Sequence, residues 1–532
     1  MRESTIAILL PISAIALVYA AVRDHGFVWD DTLLSRALVY RKCDLTAIFT
    51  TPANTFEYLP VRDLTLCLDH ALFNTWAGGF HLQNVVIFML ASILVGTLYR
   101  ALFSVSTNPT LSKNAAPFAL ICTLIFVLHP LQVEPVSFIT ARNALLALLF
   151  MLATLNFYLS FLRTGHRVFY FLSMLTNALA LFSKATALPT AIIVFLLQYY
   201  LAPERNIKRA LLRAAPHVVI TALAAVAHFT IATSRGAVGS SLSFADLIGR
   251  IPWAAFIPQF YLYKFAWPFH QSTEYVLTDV KDNMALLGLS GLLMAGVCCA
   301  ILCRSFRQRG LAGLLCACFL AALLPILNLL PTYPLVADRY AQIPLVFLTP
   351  LVLLPMLQWS QKRVTLGLSV PILCLLGWLS FQQVPIWKSD ETIFSHAVKM
   401  DSRSISSLEN LAHASWSKGD EAEALAYFQQ IAQQKPNDGQ HTLFRAWFAV
   451  RQKNYDEAEE LLGIAKRMSL APYYVSLVKA EIHMGRRQKR GAIREYERAL
   501  VIARKRFQLD ARARVYVREI EKRLRHMNAP GH

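Results

Sequence analysis

Residues 6–22 read Ile6-Ala7-Ile8-Leu9-Leu10-Pro11-Ile12-Ser13-Ala14-Ile15-Ala16-Leu17-Val18-Tyr19-Ala20-Ala21-Val22, with no charged side chain among them. A run of this kind is long enough to cross hydrocarbon, which takes about 17 to 25 residues in helical form. It exceeds the apolar stretch of a secretory signal, usually about 7 to 15 residues, and only loose small residues near Ala20 suggest a cleavage point. We read it as a retained first span. Similar runs recur to roughly Phe381 and then stop, leaving a polar tail. The chain has 532 residues, of which 55% are hydrophobic and 16% charged, and its mean hydropathy is +0.43. That balance excludes an ordinary soluble protein. The runs are continuous rather than alternating, so helices satisfy their backbone hydrogen bonds and a barrel is excluded. The expected fold class is all-α: a polytopic helical bundle over 1–381, a linker over 382–401 and a soluble domain over 402–532.

A net charge of +19 would point to nucleic acid in a soluble protein. Here much of it follows the positive-inside pattern. Arg100 with Lys113, Arg163 with Arg167, Arg205 with Lys208, Arg209 and Arg213, Arg304 with Arg307 and Arg309, and Gln361-Lys362-Arg363 mark candidate cytoplasmic loops. The N-terminus is then cytoplasmic, and a large first loop, 23–80, lies outside with His129–Ala141, the turn at Lys184, Thr233–Asn283, Pro331–Arg339 and the whole tail. The count closes at about eleven spans if Ile251–Phe269, which contains Pro252, Pro258 and Pro268, lies along or re-enters the outer surface. A basic tail on that side excludes nucleic acid as a partner, and its Lys and Arg after Lys479 read as a solvated or lipid-headgroup-facing surface, or else as a face for an acidic partner. The nine cysteines show no metal-ligand spacing. Cys43 and Cys67 share the first outer loop and either pair there, if that side is oxidising, or pack as separate thiols.

The tail is a repeat. Ala412, Ala446 and Ala480 stand 34 residues apart, as do Ala424, Ala458 and Ala492, and 34 residues is the period of a tetratricopeptide helix pair. Phe428, Leu462 and Tyr496 share a third position, and Ile431, Ala465 and Ala499 a fourth. Small residues suit the close crossing within a pair, large ones the stacking between pairs. Three pairs, the first closed by Pro436, and a final basic helix at Asp510–His526 are expected to form a short solenoid. Its concave face either binds an extended peptide or another protein, or merely covers the membrane domain.

Charged side chains beside apolar spans are costly and mark function. The first outer loop opens with Trp29-Asp30-Asp31. Adjacent acids repel, so the pair suits a general base with a supporting acid, or simply a helix cap. The same side of the bundle carries Tyr58-Leu59-Pro60-Val61-Arg62-Asp63, then His81-Leu82-Gln83-Asn84 at the start of the second span. It also carries His129-Pro130-Leu131-Gln132-Val133-Glu134, Arg142-Asn143, Ser183-Lys184 and Ala337-Asp338-Arg339-Tyr340. A lone cation there is usually an anchor. Several cations facing carboxylates across one boundary suit an anionic phosphate held beside a base.

In their order and their shared side, followed by tetratricopeptide repeats, these motifs resemble the GT-C glycosyltransferases. Among these they most resemble the transmembrane and tetratricopeptide-repeat protein O-mannosyltransferases and their bacterial relatives. The resemblance implies transfer of a sugar from a polyprenyl phosphate carrier to an acceptor hydroxyl outside the cytoplasm. Asp30, or else Asp31, would take the hydroxyl proton. Arg339 and Lys184, helped by Arg62 or Arg142, would stabilise the leaving phosphate, and a single displacement would invert the anomeric carbon. His129, Glu134, Asp338, Tyr340, His81 and Asn84 would orient the substrate, although His81 and Asn84 also read as polar caps of the second span. A divalent cation, if used, would fall to Asp31, His129 and Glu134. The family's Tyr-Arg-Pro-Leu appears here as Tyr58-Leu59-Pro60-Val61-Arg62, which puts the role of Arg62 in question. The short repeat array fits a bacterial inner-membrane enzyme with a periplasmic repeat domain. Two other readings stay open: a glycosyltransferase acting on a glycolipid or surface polysaccharide, and a non-catalytic membrane scaffold or transporter.

Overall fold

Long uncharged runs leave the backbone no partner but itself, and helices follow. The computed structural model describes residues 2–36, 38–50, 57–202, 206–234, 244–308, 310–329, 334–359, 362–434, 439–467, 472–506, 520–521 and 524–525; Arg205, Arg309, Pro331, Gln361, Pro436 and most of Asp510–His526 lie outside them. Among the described residues all regular structure is helical and no strand occurs. The chain divides into two units, Met1–Ile393 and Phe394–His532.

In the first unit, five described helices are long and apolar enough to cross a membrane: Ala77–Ser104, Ile139–Thr164, Ile207–Ile231, Leu286–Arg304 and Val364–Lys388. Ala115–Leu128 and Pro130–Ser137 make a sixth if a pair bent by 60° counts as one span. The expectation of about eleven is therefore not met by length and composition alone. Thr5–Val18, Arg167–Leu181, Ala185–Leu201, Leu311–Ile326 and Gln342–Gln358 are apolar but short. At about 1.5 Å per residue such helices fall below the roughly 30 Å of a hydrocarbon core. Phe244–Ala266 is one helix, continuous through Pro252 and Pro258, with Pro268 beyond its end.

Polar side chains inside the bundle bond across helices. Tyr99 Oη donates to the Val346 carbonyl at 2.7 Å, Ser380 Oγ to the Leu128 carbonyl at 2.7 Å and Tyr158 Oη to Gln198 Oε1 at 2.8 Å. Such bonds join helices where water is absent. By contrast, Leu292 on Met284–Gln308 is 72% exposed and Leu293 66%. An apolar face of that kind is stable against lipid rather than water. The loop after the first helix is itself structured, with helices Asp31–Arg36, Leu38–Arg41, Leu45–Thr50 and Pro60–Phe73. Beyond the last long helix, the segment expected to be a linker holds a 3-10 turn, Val384–Lys388, and a helix, Asp390–Met400.

The second unit contains helices Ile405–Lys418, Glu421–Gln434, Gly439–Arg451, Tyr455–Arg467, Pro472–Gly485 and Lys489–Arg506. Ala412, Ala446, Ala480, Ala424, Ala458 and Ala492 are all fully buried. Each helix pair centres its own apolar cluster, around Phe428, Leu462 and Tyr496 in turn. Ile520 and Leu524 join the third cluster. Gly419, at φ +87°, makes the turn inside the first pair, a conformation that costs glycine nothing.

Candidate active site

The acid loop is built around Asp31. It is fully buried and begins the helix Asp31–Arg36. Its Oδ1 accepts from the Thr140 backbone N–H at 2.7 Å and from Thr140 Oγ1 at 2.8 Å. Its Oδ2 faces the N–H groups of Val28 and Ile139, both at 3.4 Å. Burial raises its pKa to about 7, while the bonds from Thr140 pull it down. With its oxygens taken, Asp31 ties the first loop to the turn Ile139–Ala141. Asp30, half-buried, is the more exposed acid of the pair.

Trp29 stands at φ +49°. For a residue with a bulky side chain this conformation costs roughly 1–2 kcal/mol, so the surroundings must hold it. Its ring stacks on Phe138 at 5.6 Å, and Phe138 packs on Trp387 at 5.4 Å. Three residues earlier, the Gly26 carbonyl accepts from His81 Nε2 at 3.0 Å. His81 is thus a brace for the acid loop, from the fifth residue of Ala77–Ser104.

Arg142 and Asn84 form a second brace. The Arg142 guanidinium, fully buried, pairs with Asp69, donates from Nε to Asn84 Oδ1 at 2.7 Å and from a terminal nitrogen to the Phe80 carbonyl at 2.7 Å. Asn84 Nδ2 in turn donates to the carbonyls of Val136 and Phe138. Burial also raises the pKa of Asp69, to about 6, against the pull of Arg142. Arg62 is similarly engaged: it is 1% exposed, pairs with Asp63 at 2.6 Å, and Tyr40 Oη donates to the same carboxylate at 3.1 Å. Both arginines are buried and paired with carboxylates of the protein itself.

The cation cluster lies at the Ala337–Tyr340 turn. Glu134 accepts from the Arg339 backbone N–H at 2.9 Å and forms an ion pair with its guanidinium. Beside this clasp, Gln342 Nε2 donates to Gln132 Oε1 at 3.2 Å. Asp338, almost fully buried, accepts from Tyr275 Oη at 2.6 Å. Burial and then Glu134 push its pKa up to about 8. Lys184 is 8% exposed, donates to Asn143 Oδ1 at 3.3 Å and lies 5.6 Å from the Tyr340 ring centroid. No carboxylate stands within ion-pair distance of it among the described residues. Thr186, Arg339, Tyr340 and Gln342, with Ile326 and Ile343, line a narrow crevice.

His129 is occupied elsewhere. Its Nε2 donates to the Phe265 carbonyl at 3.2 Å, its Nδ1 accepts from the Leu131 N–H at 3.2 Å, and its ring stacks on Phe265. Asp31, His129 and Glu134 are therefore not gathered into one set of ligands. Among the described residues no three His, Cys, Asp or Glu side chains come together to hold a metal ion. Cys43 and Cys67 are both free thiols.

One short segment joins the two halves of the site. Glu134, at one end, holds Arg339; Thr140, at the other, holds Asp31. Six residues reach at most about 20 Å even fully extended, and here they coil through two helical turns, Val133–Ser137 and Ile139–Ala141. Sequence reading missed Asp69, Thr140 and Tyr275. Only Gln342 carried a signal, standing three residues after Arg339.

The tetratricopeptide repeat family matches residues 415–479. Over 159 residues the chain is 26% identical to Protein O-mannosyl-transferase F38B6.6 of Caenorhabditis elegans, a stretch that is 28% of this chain and 22% of that protein. No solved structure matches the chain.

Proposed function

We propose that the protein is a membrane glycosyltransferase that moves a sugar from a polyprenyl phosphate carrier to a hydroxyl of a protein acceptor outside the cytoplasm. The observation that carries this reading is the Glu134–Thr140 segment, which ties the Asp30-Asp31 loop and the Arg339 cluster to one short stretch of chain. The name of the similar Caenorhabditis elegans protein supports the transfer chemistry, and the repeats support a protein acceptor. The shorter apolar helices complete the bundle alongside the long ones, the N-terminus is cytoplasmic and the repeat unit is extracytoplasmic, in a bacterial inner membrane.

The carrier chain enters between helices, and its phosphate meets Lys184 and the partly exposed edge of Arg339, both beside the Tyr340 ring. Lys184 forms no direct ion pair among the described residues, whereas Arg339 is clasped by Glu134, so Lys184 is the stronger candidate for the leaving phosphate. Arg339 has donors beyond those given to Glu134. Asp30 takes the acceptor's proton as its oxygen attacks the anomeric carbon; the carbon–phosphate oxygen bond breaks and the configuration inverts. Asp31 holds the loop. Arg142, Asn84 and His81 fix the walls, and Tyr340, Asp338 and Glu134 orient the cations.

Purified protein in proteoliposomes, given a radiolabelled polyprenyl-phosphate mannose and a serine- and threonine-rich peptide, tests this. Labelled peptide is expected from the wild type and, at a level at least a hundredfold lower, from Asp30→Asn; equal labelling by both would remove the base from the scheme.

A further inference from the structure

The Trp29 backbone N–H donates to Asp390 Oδ1 at 2.6 Å, across 361 positions of sequence. Nearby the Gly26 N–H donates to the Lys388 carbonyl at 3.1 Å, and Trp387 backs the Phe138 ring on which Trp29 stacks. The segment that follows the last long helix thus holds the loop that bears Asp30 directly by two hydrogen bonds and indirectly by Trp387 through the Phe138 ring, all within the first unit. The grip falls where it is most needed. Trp29 holds a left-handed backbone, and its ψ and the following φ set the direction of Asp30. An amide in that conformation keeps its orientation only while its bonds and packing persist. Asp390 is itself fixed as the first residue of the helix Asp390–Met400, whose start is capped by Ser389 Oγ accepting from the Thr392 N–H at 3.3 Å.

We propose that Asp390 is a positioning residue for Asp30: its carboxylate holds the Trp29 amide so that the neighbouring acid faces the reacting hydroxyl. This rests on the reading of Asp30 as the base. The need is for an acceptor oxygen rather than for charge, which makes Asp390→Asn the conservative replacement.

Two measurements on the full-length protein test it. In the transfer assay, Asp390→Ala is expected to lower kcat about tenfold to a hundredfold, the cost of a catalytic group displaced by about 1 Å, with KM for polyprenyl-phosphate mannose within twofold. Asp390→Asn restores most of the rate. In hydrogen exchange, the peptide covering 25–31 exchanges at least tenfold faster in Asp390→Ala and at the wild-type rate in Asp390→Asn, while Ala77–Ser104 is unchanged in both. The proposal is overturned by wild-type exchange at 25–31 in Asp390→Ala, by faster exchange throughout the unit, by an unchanged kcat, or by equal impairment of the two variants. Asp30→Asn separates the underlying reading: if that variant transfers normally the base assignment fails, whereas the exchange data still decide whether Asp390 orders the loop.

Discussion

Raising the pH should switch off the cation that meets the donor phosphate. Burial pushes the Lys184 ammonium down from the ordinary lysine value to about 8, with Glu57 opposing the fall and Arg339 adding to it. The charged form is the protonated one, so the charge is present below that value and lost above it. Such a group is about 90% charged at pH 7 and about 10% at pH 9. A sugar phosphodiester stays anionic throughout, so the donor contributes no titration of its own. Transfer, measured as kcat/KM from pH 6 to 10, should therefore bend near pH 8 and fall about tenfold per unit beyond it. Asp338 titrates in the same range, pushed up to about 8 by burial and by Glu134, and gains a negative charge as Lys184 loses its positive one. Two variants separate them. Lys184→Arg, whose guanidinium stays charged, should lose the alkaline limb while remaining active at pH 7; Asp338→Asn should keep it. A limb unmoved in Lys184→Arg, or abolished in Asp338→Asn, would refute the assignment of Lys184 to the phosphate.

Asp69→Ala leaves the Arg142 guanidinium buried without its carboxylate, a change worth about 3–5 kcal/mol; thermal unfolding of the detergent-solubilised protein should show a marked drop in midpoint, whereas an unchanged midpoint would mean that Arg142 is not a brace. Asp31→Ala leaves the Thr140, Val28 and Ile139 groups without their acceptor, at about 1–3 kcal/mol for each unsatisfied donor, and is expected to lower stability and transfer together. Ala446→Leu overfills the fully buried crossing of the second helix pair, at about 1–3 kcal/mol; limited proteolysis should then cut within 402–506 first, and resistance equal to wild type would contradict the packing.

The repeat unit was legible because its signal is local and periodic. Ala412, Ala446 and Ala480 recur every 34 residues, and the same alanines are fully buried where paired helices cross. Helical class was legible for a similar reason, since an uncharged run has no other way to satisfy its backbone. The span count was harder to read: helices such as Arg167–Leu181 are short, and the apolar run 115–137 bends by 60° after Leu128. Within the site, residue types gave candidates but not their partners. Nothing in Asp30-Asp31 foretells which acid is sealed; that depends on Thr140, more than a hundred positions away. His129 looked like a ligand because its type and position suit one, yet its two nitrogens go to Phe265 and Leu131. Arg62 and Arg142 looked like phosphate cations, and each meets a buried carboxylate, Asp63 or Asp69, that composition cannot pair with it. Partner choice among like charges is a tertiary property.

A density map of the protein bound to a non-transferable polyprenyl phosphonate sugar would test the convergence of Asp30, Lys184 and Arg339 on one donor most directly. The expected result has the phosphonate oxygens within about 3.2 Å of Lys184 Nζ or the Arg339 guanidinium, and the Asp30 carboxylate on the opposite side of the anomeric carbon from the phosphonate. A phosphonate bound away from both cations, or an anomeric carbon that Asp30 cannot approach, would contradict it.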